Sequence, residues 1–539
     1  VKEEQGAGKM EDTKAYDVIV VGGGIAGLTS AAYSVRSGCS TLLCEKGEKL
    51  GGLVNSFSRG GFTFDGGIRA FENSGIVFPM LRELGIGMEV VRNPVSIGIG
   101  DRIIRLRGRE SLRDYGEMLC GIFPENKKEI EAITGEIEKV MGYMDVLYGI
   151  DNPLFMDEMM KDRGYLLKTI LPWLARYKLS MRRVKKLVEP INSYLRKFTA
   201  NQSLIDMITQ HFFRNTPAFF ALSYFGLYLD YSYPVGGTGV LARKMEEYIR
   251  NRGGSIETGT EISEADLQAR LVRTADGRAF SYKKLIWCAD MGRLYSAADP
   301  EKAGSIKVGE RIVSQRELIA ENRGGDSVLS LFIAVDLDKG FFEKICGSHM
   351  FYTPATEGLS SMKPAPEEGG RESLSAWMAE YLSLTTYEVS CPVLRDPSLA
   401  PEGKTGLIVS TLMDYRVAEK AADDGWYSEF KELCMEKVVE VLDRTVFPGF
   451  KGKVSDIICS TPVTLERLTG NSGGAITGWA FSEHLPSENR FENIEKAVFT
   501  PMPDVFQAGQ WSYSPSGLPI SVLTGKLAAK AACEGNGAD

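Results

Sequence analysis

Residues 16–27 read Y-D-V-I-V-V-G-G-G-I-A-G, and the next apolar run, S-T-L-L-C-E, ends on Glu45. The β-branched run Tyr16–Val21 predicts a short buried parallel strand. Gly22, Gly24 and Gly27 follow it, Ala26–Ser37 predicts a helix closed near Gly38, and Ser40–Glu45 predicts a second strand. In such a unit the first glycine permits a tight exit from the strand, the second lets backbone approach a pyrophosphate, and the third lets helix and sheet pack closely. The unpaired N–H groups of the helix start, around Ile25 and Ala26, and the positive end of its dipole favour the anion. Glu45 stands where a carboxylate accepts both ribose hydroxyls, which disfavours a 2'-phosphate. A chain with 58 glycines produces chance matches to this pattern. The strand before it, the helix after it and the acidic residue in place make this one a dinucleotide site. NAD and FAD both remain open at this point.

At 539 residues the chain exceeds what one core supports, so two or more interleaved substructures are expected. A net charge of −8 and a pI near 5.4 argue against nucleic acid as a partner, because phosphate neutralisation needs a basic field. The nine cysteines are scattered with no C-x-x-C pair, which fits a reduced, cytoplasmic compartment. His211, His349 and His484 have no ligand-like spacing, so no metal is expected. Residues 1–15 are polar and read as a loose tail with no secretory signal. No apolar run approaches the roughly 18 residues of a spanning helix. The nearest, Thr216 to Leu229, is aromatic, short and followed by Asp230, so contact with a membrane would be peripheral.

After Glu45 the chain continues K-G-E-K-L-G-G-L-V-N-S-F, with Gly51 and Gly52 in a loop, and F-D-G-G then supplies Asp65, Gly66 and Gly67. This combination resembles the FAD-binding opening of the amine-oxidase, GDP-dissociation-inhibitor and phytoene-desaturase superfamily. The resemblance implies that FAD is the cofactor, that Lys46, Gly51, Gly52 and Leu53 form a second diphosphate-contacting turn, and that the Asp65–Gly67 turn approaches the flavin. The closing segment, D-V-F-Q-A-G-Q-W-S-Y-S-P-S-G-L-P from Asp504 to Pro519, resembles the family's last motif. There a strand ends in a glycine turn, here Gly509, beside the flavin, and a helix opening at Gly517-Leu518-Pro519 aims its N-terminus at the pyrimidine end. Reduced flavin carries negative charge near N1 and C2=O, which a helix N-terminus stabilises. Pro519 suits a first helical turn.

Two interior stretches narrow the branch. Y-P-V-G-G-T-G (233–239) with G-G-S-I-E-T-G-T-E-I (253–262), and T-P-V-T-L-E-R-L-T-G-N-S-G-G-A-I-T-G-W (461–479), are similar to the phytoene desaturase, carotenoid isomerase and retinol saturase group. By that resemblance Ile262 touches the adenine side through its backbone. The likeness runs from residue 16 to about 533 and implies an FAD-dependent oxidoreductase on carbon–carbon bonds of a hydrophobic polyene or isoprenoid, by desaturation, saturation or cis-trans isomerisation. Several retinol-saturase-like members carry a histidine after the D-x-G turn, whereas this chain has Ile68-Arg69-Ala70, so their regiochemistry does not transfer. Arg69, Glu72, Trp511 and Tyr513 flank the two flavin-approaching turns and are the candidate catalytic residues. No second GxGxxG precedes a helix, which leaves a quinone, a redox protein, oxygen or a loosely docked nicotinamide as electron partner. Two alternatives share these motifs. An amine oxidase on a smaller substrate would use Trp511 and Tyr513 as an aromatic pair, and a non-enzymatic prenyl-binding escort would lack an intact dinucleotide turn.

The expected architecture is α/β: a Rossmann-like FAD-binding domain from residues 16–90, 234–300 and 491–535, interleaved with an α+β substrate domain of mixed sheet and helical lid. The substrate domain takes residues 91–233 and 301–490, with the lid at about 151–233. Residues 91–108 predict a hairpin about Gly100-Asp101, and Asn126 with Glu129 predicts a capping box opening a helix to about Met141. The aromatic segment Phe212 to Tyr231 reads either as a buried helix or as the wall of an apolar tunnel. The basic segment Arg176 to Lys186, beside Leu171, Trp173, Leu174 and Leu179, reads as a solvated helix face or as a dock for anionic lipid headgroups.

Overall fold

In the computed structural model, which describes residues 14–155, 163–482 and 484–534, the quoted glycine stretch joins the strand Lys14–Val21 to the helix Ile25–Arg36. Residues 1–13 of the expected tail lie outside the described residues. Lys14 and Ala15 do not belong to a tail, because they pair with Phe280 and Ser281 and extend the first strand.

The first sheet has seven strands. Lys14–Val21 runs parallel to Thr41–Cys44 on one side and Ala279–Trp287 on the other, Ser255–Glu257 extends the first edge, and Val505–Gln507 pairs parallel with Ala279–Trp287. Ile262–Asp266 and Leu271–Thr274 complete it as an antiparallel ribbon. Parallel strands need cover on both faces, and their near-continuous apolar runs follow from that. The helix Ile25–Arg36 is buried from Ile25 through Val35 because the closing helix Leu518–Glu534 packs along it. A Cβ on Gly525 would lie 2.6 Å from the carbonyl oxygen of Ala26, so this glycine sets how closely the two helices approach.

The second sheet also has seven strands, in the order Val454–Ser460, Ser327–Val335, Thr405–Met413, Tyr387–Ser390, His349–Thr353, Val95–Ile99 and Arg102–Arg105. It is antiparallel except where His349–Thr353 meets Val95–Ile99. The last two strands form the hairpin expected about Gly100. Val90–Arg92 lies outside it and pairs with Ser232–Pro234. The helix Lys127–Tyr148 starts where the capping box is expected, but no box forms. The Asn126 side-chain oxygen accepts from Asn201 Nδ2 at 2.8 Å, and its amide turns to Glu129 instead.

The expected boundaries are crossed at several residues, Phe155 of the expected lid packing in the core with Val18 and Val20 of the first sheet and Leu28 of the first helix. Ile312, Ala475 and Trp479 pack in the core beneath the first sheet, although the sequence reading gives residues 301–490 to the substrate domain. Of the expected lid, residues 156–162 lie outside the described residues. The remainder is largely helical, and its aromatic helix Ala218–Leu229 packs toward the second sheet.

Candidate functional site

The three glycines of the first turn have three distinct surroundings. Gly22 has φ +102°, and a Cβ there would meet the backbone of Cys288 and Ala289 at 3.0 Å. A Cβ on Gly27 would fall 1.8 Å from the carbonyl oxygen of Gly22, so only glycine lets helix and strand close. A Cβ on Gly24 would meet nothing within 4 Å, which leaves open space on that side of the helix N-terminus, next to the amides of Ile25 and Ala26. That open cradle, at a helix end with unpaired N–H groups, fits a phosphate. Glu45 turns its carboxylate over the same turn, accepting from the Gly23 amide at 2.6 Å and the Gly47 amide at 2.8 Å.

The Gly51-Gly52 loop lies against this cradle. The Gly51 amide donates to the Gly23 carbonyl at 2.8 Å, and a Cβ on Gly52 would sit 3.2 Å from the Gly24 Cα. Leu53 accepts from the Ile68 amide at 3.0 Å, and a Cβ on Gly67 would lie 1.9 Å from that same Leu53 oxygen. At Gly66 the crowding atom is Asn55 Oδ1. Asp65 is fully engaged by protein: it accepts from Ser56 Oγ at 2.9 Å, Tyr233 OH at 2.7 Å, the Thr238 amide at 2.8 Å and Thr238 Oγ1 at 3.0 Å. Its work is to fasten the Y-P-V-G-G-T-G turn to the D-G-G turn. Lys46 reaches away toward Gly470. Ile262 starts its strand in the core with Val21 and Cys44, while the neighbouring Thr260 amide donates to the Glu45 carbonyl at 2.8 Å.

The closing segment returns to the same place. Gly509 donates its amide to Thr524 Oγ1 at 3.0 Å, and a Cβ there would lie 3.1 Å from the Ala26 Cβ. Gly517 precedes the closing helix, where a Cβ would meet only Pro519 Cδ at 3.9 Å, and Leu518 and Pro519 form its first turn. Trp511 and Tyr513 do not form a facing pair. Trp511 packs edge-on against Trp479 at 4.8 Å and donates to Asn471 Oδ1 at 3.1 Å, in the core beneath the first sheet. Tyr513 lies in the core on the other face and donates to the Asn489 carbonyl at 3.1 Å.

Arg69 links these turns to a cavity. Its Nη1 donates to the Asp65 carbonyl at 2.9 Å and its Nη2 to Ser410 Oγ at 3.0 Å, while its Nε is buried without a partner. Ser410 lines a cavity of about 140 Å³ between the aromatic helix and the second sheet. Phe212, Phe220, Tyr224, Tyr228 and Phe351 line the same space. Glu72 is half-buried near Tyr224 and Tyr231; burial pushes its pKa up, partly offset by a hydrogen bond from Ser74.

A polar chain missed by the sequence reading runs behind the cavity. Arg395 lies 3.8 Å from the ring centroid of Tyr233 and donates to the Arg69 carbonyl at 3.1 Å, Asn93 Oδ1 at 3.0 Å and Ser390 Oγ at 2.6 Å. Because the Asn93 oxygen is taken by Arg395 and by Ser348 at 3.2 Å, its amide nitrogen faces His349 Nδ1 at 3.1 Å. That leaves the proton on His349 Nε2, which donates to Glu388 Oε1 at 2.9 Å. Burial lowers the His349 pKa and keeps the ring neutral. For Glu388, burial acts upward, but the His349 hydrogen bond with the Arg69 and Arg395 charges outweighs it and holds the carboxyl below its ordinary value. These residues come from strands and loops distant in sequence, and no spacing pattern joins them.

Residues 20–84 match the family described as NAD(P)-binding Rossmann-like domain. Over 499 residues the chain is 23% identical to prolycopene isomerase 1 of an Oncidium hybrid cultivar, covering 87% of this chain and 76% of that one. It is 22% identical to the all-trans-retinol 13,14-reductase of Danio rerio (92% and 82% covered) and 21% identical to the 4,4'-diapophytoene desaturase of Staphylococcus aureus (95% and 97%). Over most of its length the chain is thus similar to carotenoid isomerases, retinol reductases and phytoene-type desaturases, the group its sequence motifs resemble. Among solved structures, an oxidoreductase from Methanosarcina mazei shares this flavoprotein's fold with a TM-score of 0.60 at 14% identity, covering 96% of this chain and all of that one. No described helix of the flavoprotein is long and apolar enough to cross a membrane.

Proposed function

We propose that the chain holds FAD along the first sheet and acts on carbon–carbon bonds of a polyene or isoprenoid seated in the aromatic cavity. The observation that carries this reading is Arg69, whose two terminal nitrogens bond the flavin-approaching turn at Asp65 and the cavity wall at Ser410. Gly22, Gly24 and Gly27 with the amides of Ile25 and Ala26 would hold the pyrophosphate, Glu45 the ribose, and Gly51, Gly52 and Leu53 the flank of the diphosphate. Gly66, Gly67, Gly509 and the helix start at Gly517, Leu518 and Pro519 would surround the flavin. Bound FAD supplies hydride exchange with the substrate. The protein's share is to exclude water with aromatic side chains, orient the chain of double bonds and fix charge at Arg69. The separation of Trp511 from Tyr513 removes the aromatic pair that an amine oxidase reading would need. Electrons would exchange with a quinone or a redox protein, the sequence holding no second dinucleotide turn before a helix.

The test is anaerobic. The purified yellow protein is reduced, incubated with lipid extracts, and the products are weighed. A shift of two hydrogens indicates saturation, the reverse shift with oxidised protein indicates desaturation, and altered retention at constant mass indicates isomerisation. A colourless protein that does not take up FAD would overturn the reading.

We further propose that the chain docks peripherally on anionic lipid through the helix Leu171–Val184. Leu171 and Leu179 are 54% and 52% exposed, beside Arg176, Lys178, Arg182 and Arg183. Trp173 and Tyr177 pair with each other, and the Trp173 indole donates to the Val146 carbonyl at 2.6 Å. A helix with exposed leucines and clustered cations suits an interfacial site. Leu171→Ser/Leu179→Ser with Arg182→Glu should abolish sedimentation with phosphatidylserine vesicles, and unchanged sedimentation would overturn the assignment.

A further inference from the structure

The aromatic cavity is not uniformly apolar. Tyr228 is 5% exposed and lines it, yet its hydroxyl has no partner in the protein. His211 Nε2 is buried in the same wall and is likewise unpartnered. Glu388 comes from the floor, in a cross-strand row where Ile97 faces Phe351, Phe351 faces Glu388 and Glu388 faces Ser410. The three polar groups surround one ring: Phe351 lies 4.9 Å from Tyr228, 5.6 Å from His211 and 5.3 Å from His349, which holds Glu388.

Buried hydroxyls and ring nitrogens are ordinarily paired, so two orphans facing one cavity point to a ligand group that completes them. The hydrogen-bond chain from Arg395 through Asn93 and His349 makes Glu388 an acceptor only. A matching ligand group must therefore donate to Glu388 and accept from Tyr228. A hydroxyl does both. A hydrocarbon leaves Tyr228 and His211 unpaired, a carboxylate meets the charge of Glu388, and an ammonium offers Tyr228 no acceptor and faces the positive charges of Arg69 and Arg395.

We propose that Glu388, Tyr228 and His211 form a hydroxyl-recognition site in this cavity, which takes the alcohol-bearing end of an apolar chain. This rests on the reading of the cavity as the place where a hydrophobic substrate is held. A volume of about 140 Å³ suits one end of such a ligand, since about 150 Å³ holds a benzene ring.

Four ligands with one carbon skeleton test the site: farnesol, farnesene, farnesoic acid and farnesylamine. Their binding to the FAD-loaded protein is read by quenching of tryptophan fluorescence. Farnesol should bind about tenfold more tightly than farnesene. Tyr228→Phe and Glu388→Gln should each reduce that preference to about threefold or less and leave farnesene affinity unchanged. Tyr228→Phe removes a single unpaired oxygen, so it preserves folding even if Glu388→Gln does not. Equal binding of farnesol and farnesene, tighter binding of the acid or the amine, or a preference unchanged in Tyr228→Phe would each overturn the site. Turnover of lipids without alcohol preference would sink this site alone, whereas alcohol preference without any mass or isomer change would count against the proposed reaction alone.

Discussion

The position a Cβ would take on Gly27 lies 1.8 Å from the carbonyl oxygen of Gly22, whereas the corresponding position on Gly24 is open to 4 Å. The two glycines therefore separate folding from cofactor binding. Gly27→Ala forces helix and strand apart and should destabilise the chain by about 3 kcal/mol, with loss of bound flavin. Gly24→Ala places a methyl where the phosphate is proposed, in a backbone conformation with φ −68° that alanine adopts freely. Its cofactor-free melting temperature should stay within about 2 °C of the parent, while the ratio of flavin to protein absorbance falls at least severalfold. Full flavin content in Gly24→Ala would contradict the pyrophosphate assignment.

Asp65 joins two glycine turns that are far apart in sequence, through Tyr233 and Thr238. Asp65→Ala leaves the buried Tyr233 phenol, the Thr238 backbone amide and the Ser56 hydroxyl without an acceptor. Each such group costs about 1–3 kcal/mol, so the total loss should be about 3 kcal/mol or more in urea unfolding. Tyr233→Phe removes one donor only and should cost about 1 kcal/mol. A small, equal effect of the two would show that Asp65 is not the fastening point.

The dinucleotide unit was legible because its chemistry is local. Gly22 to Glu45 carries strand, turn, helix and acidic residue within one short segment, and backbone geometry requires glycine at Gly22 and Gly27. The closing segment was legible for the same reason, since Gly509 must pass Ala26 and Gly517 opens a helix. Trp511 and Tyr513 neighbour the same turn in sequence, but two residues apart on it they point into opposite cores. Glu388, His349, Asn93 and Arg395 were invisible because their contact depends on the register of the second sheet, which sets His349 opposite Ser390 and Phe351 opposite Glu388. A lone histidine in a strand gives no sign of which carboxylate the next strand will bring beside it.

Arg69 bonds the Asp65 carbonyl and Ser410 Oγ with different nitrogens of one planar group. Lysine has a single nitrogen and cannot span both. Arg69→Lys should keep FAD, because none of the phosphate-facing glycines touches this side chain, but lower kcat by about tenfold. Flavin content and turnover measured on the same preparation distinguish the outcomes. An unchanged kcat would remove Arg69 from the reacting end of the cavity.

His211 supplies a pH test with a defined sign. Burial pushes its pKa down to about 4, from 6.5 for an ordinary histidine. Between these values the unfolded chain binds a proton that the native chain refuses, so stability is complete above about pH 6.5 and declines as the pH falls toward 4. From pH 7 to pH 5 this residue should cost the parent about 2 kcal/mol. His211→Phe retains a ring beside Phe212, 4.1 Å away, and Phe351, 5.6 Å away, but cannot titrate. Subtracting its stability profile from that of the parent removes the contribution of the carboxylates, which titrate in both proteins. The difference should grow steadily as the pH falls below 6.5, and a flat difference from pH 7 to 5 would mean that the imidazole reaches solvent and is not held neutral by the cavity.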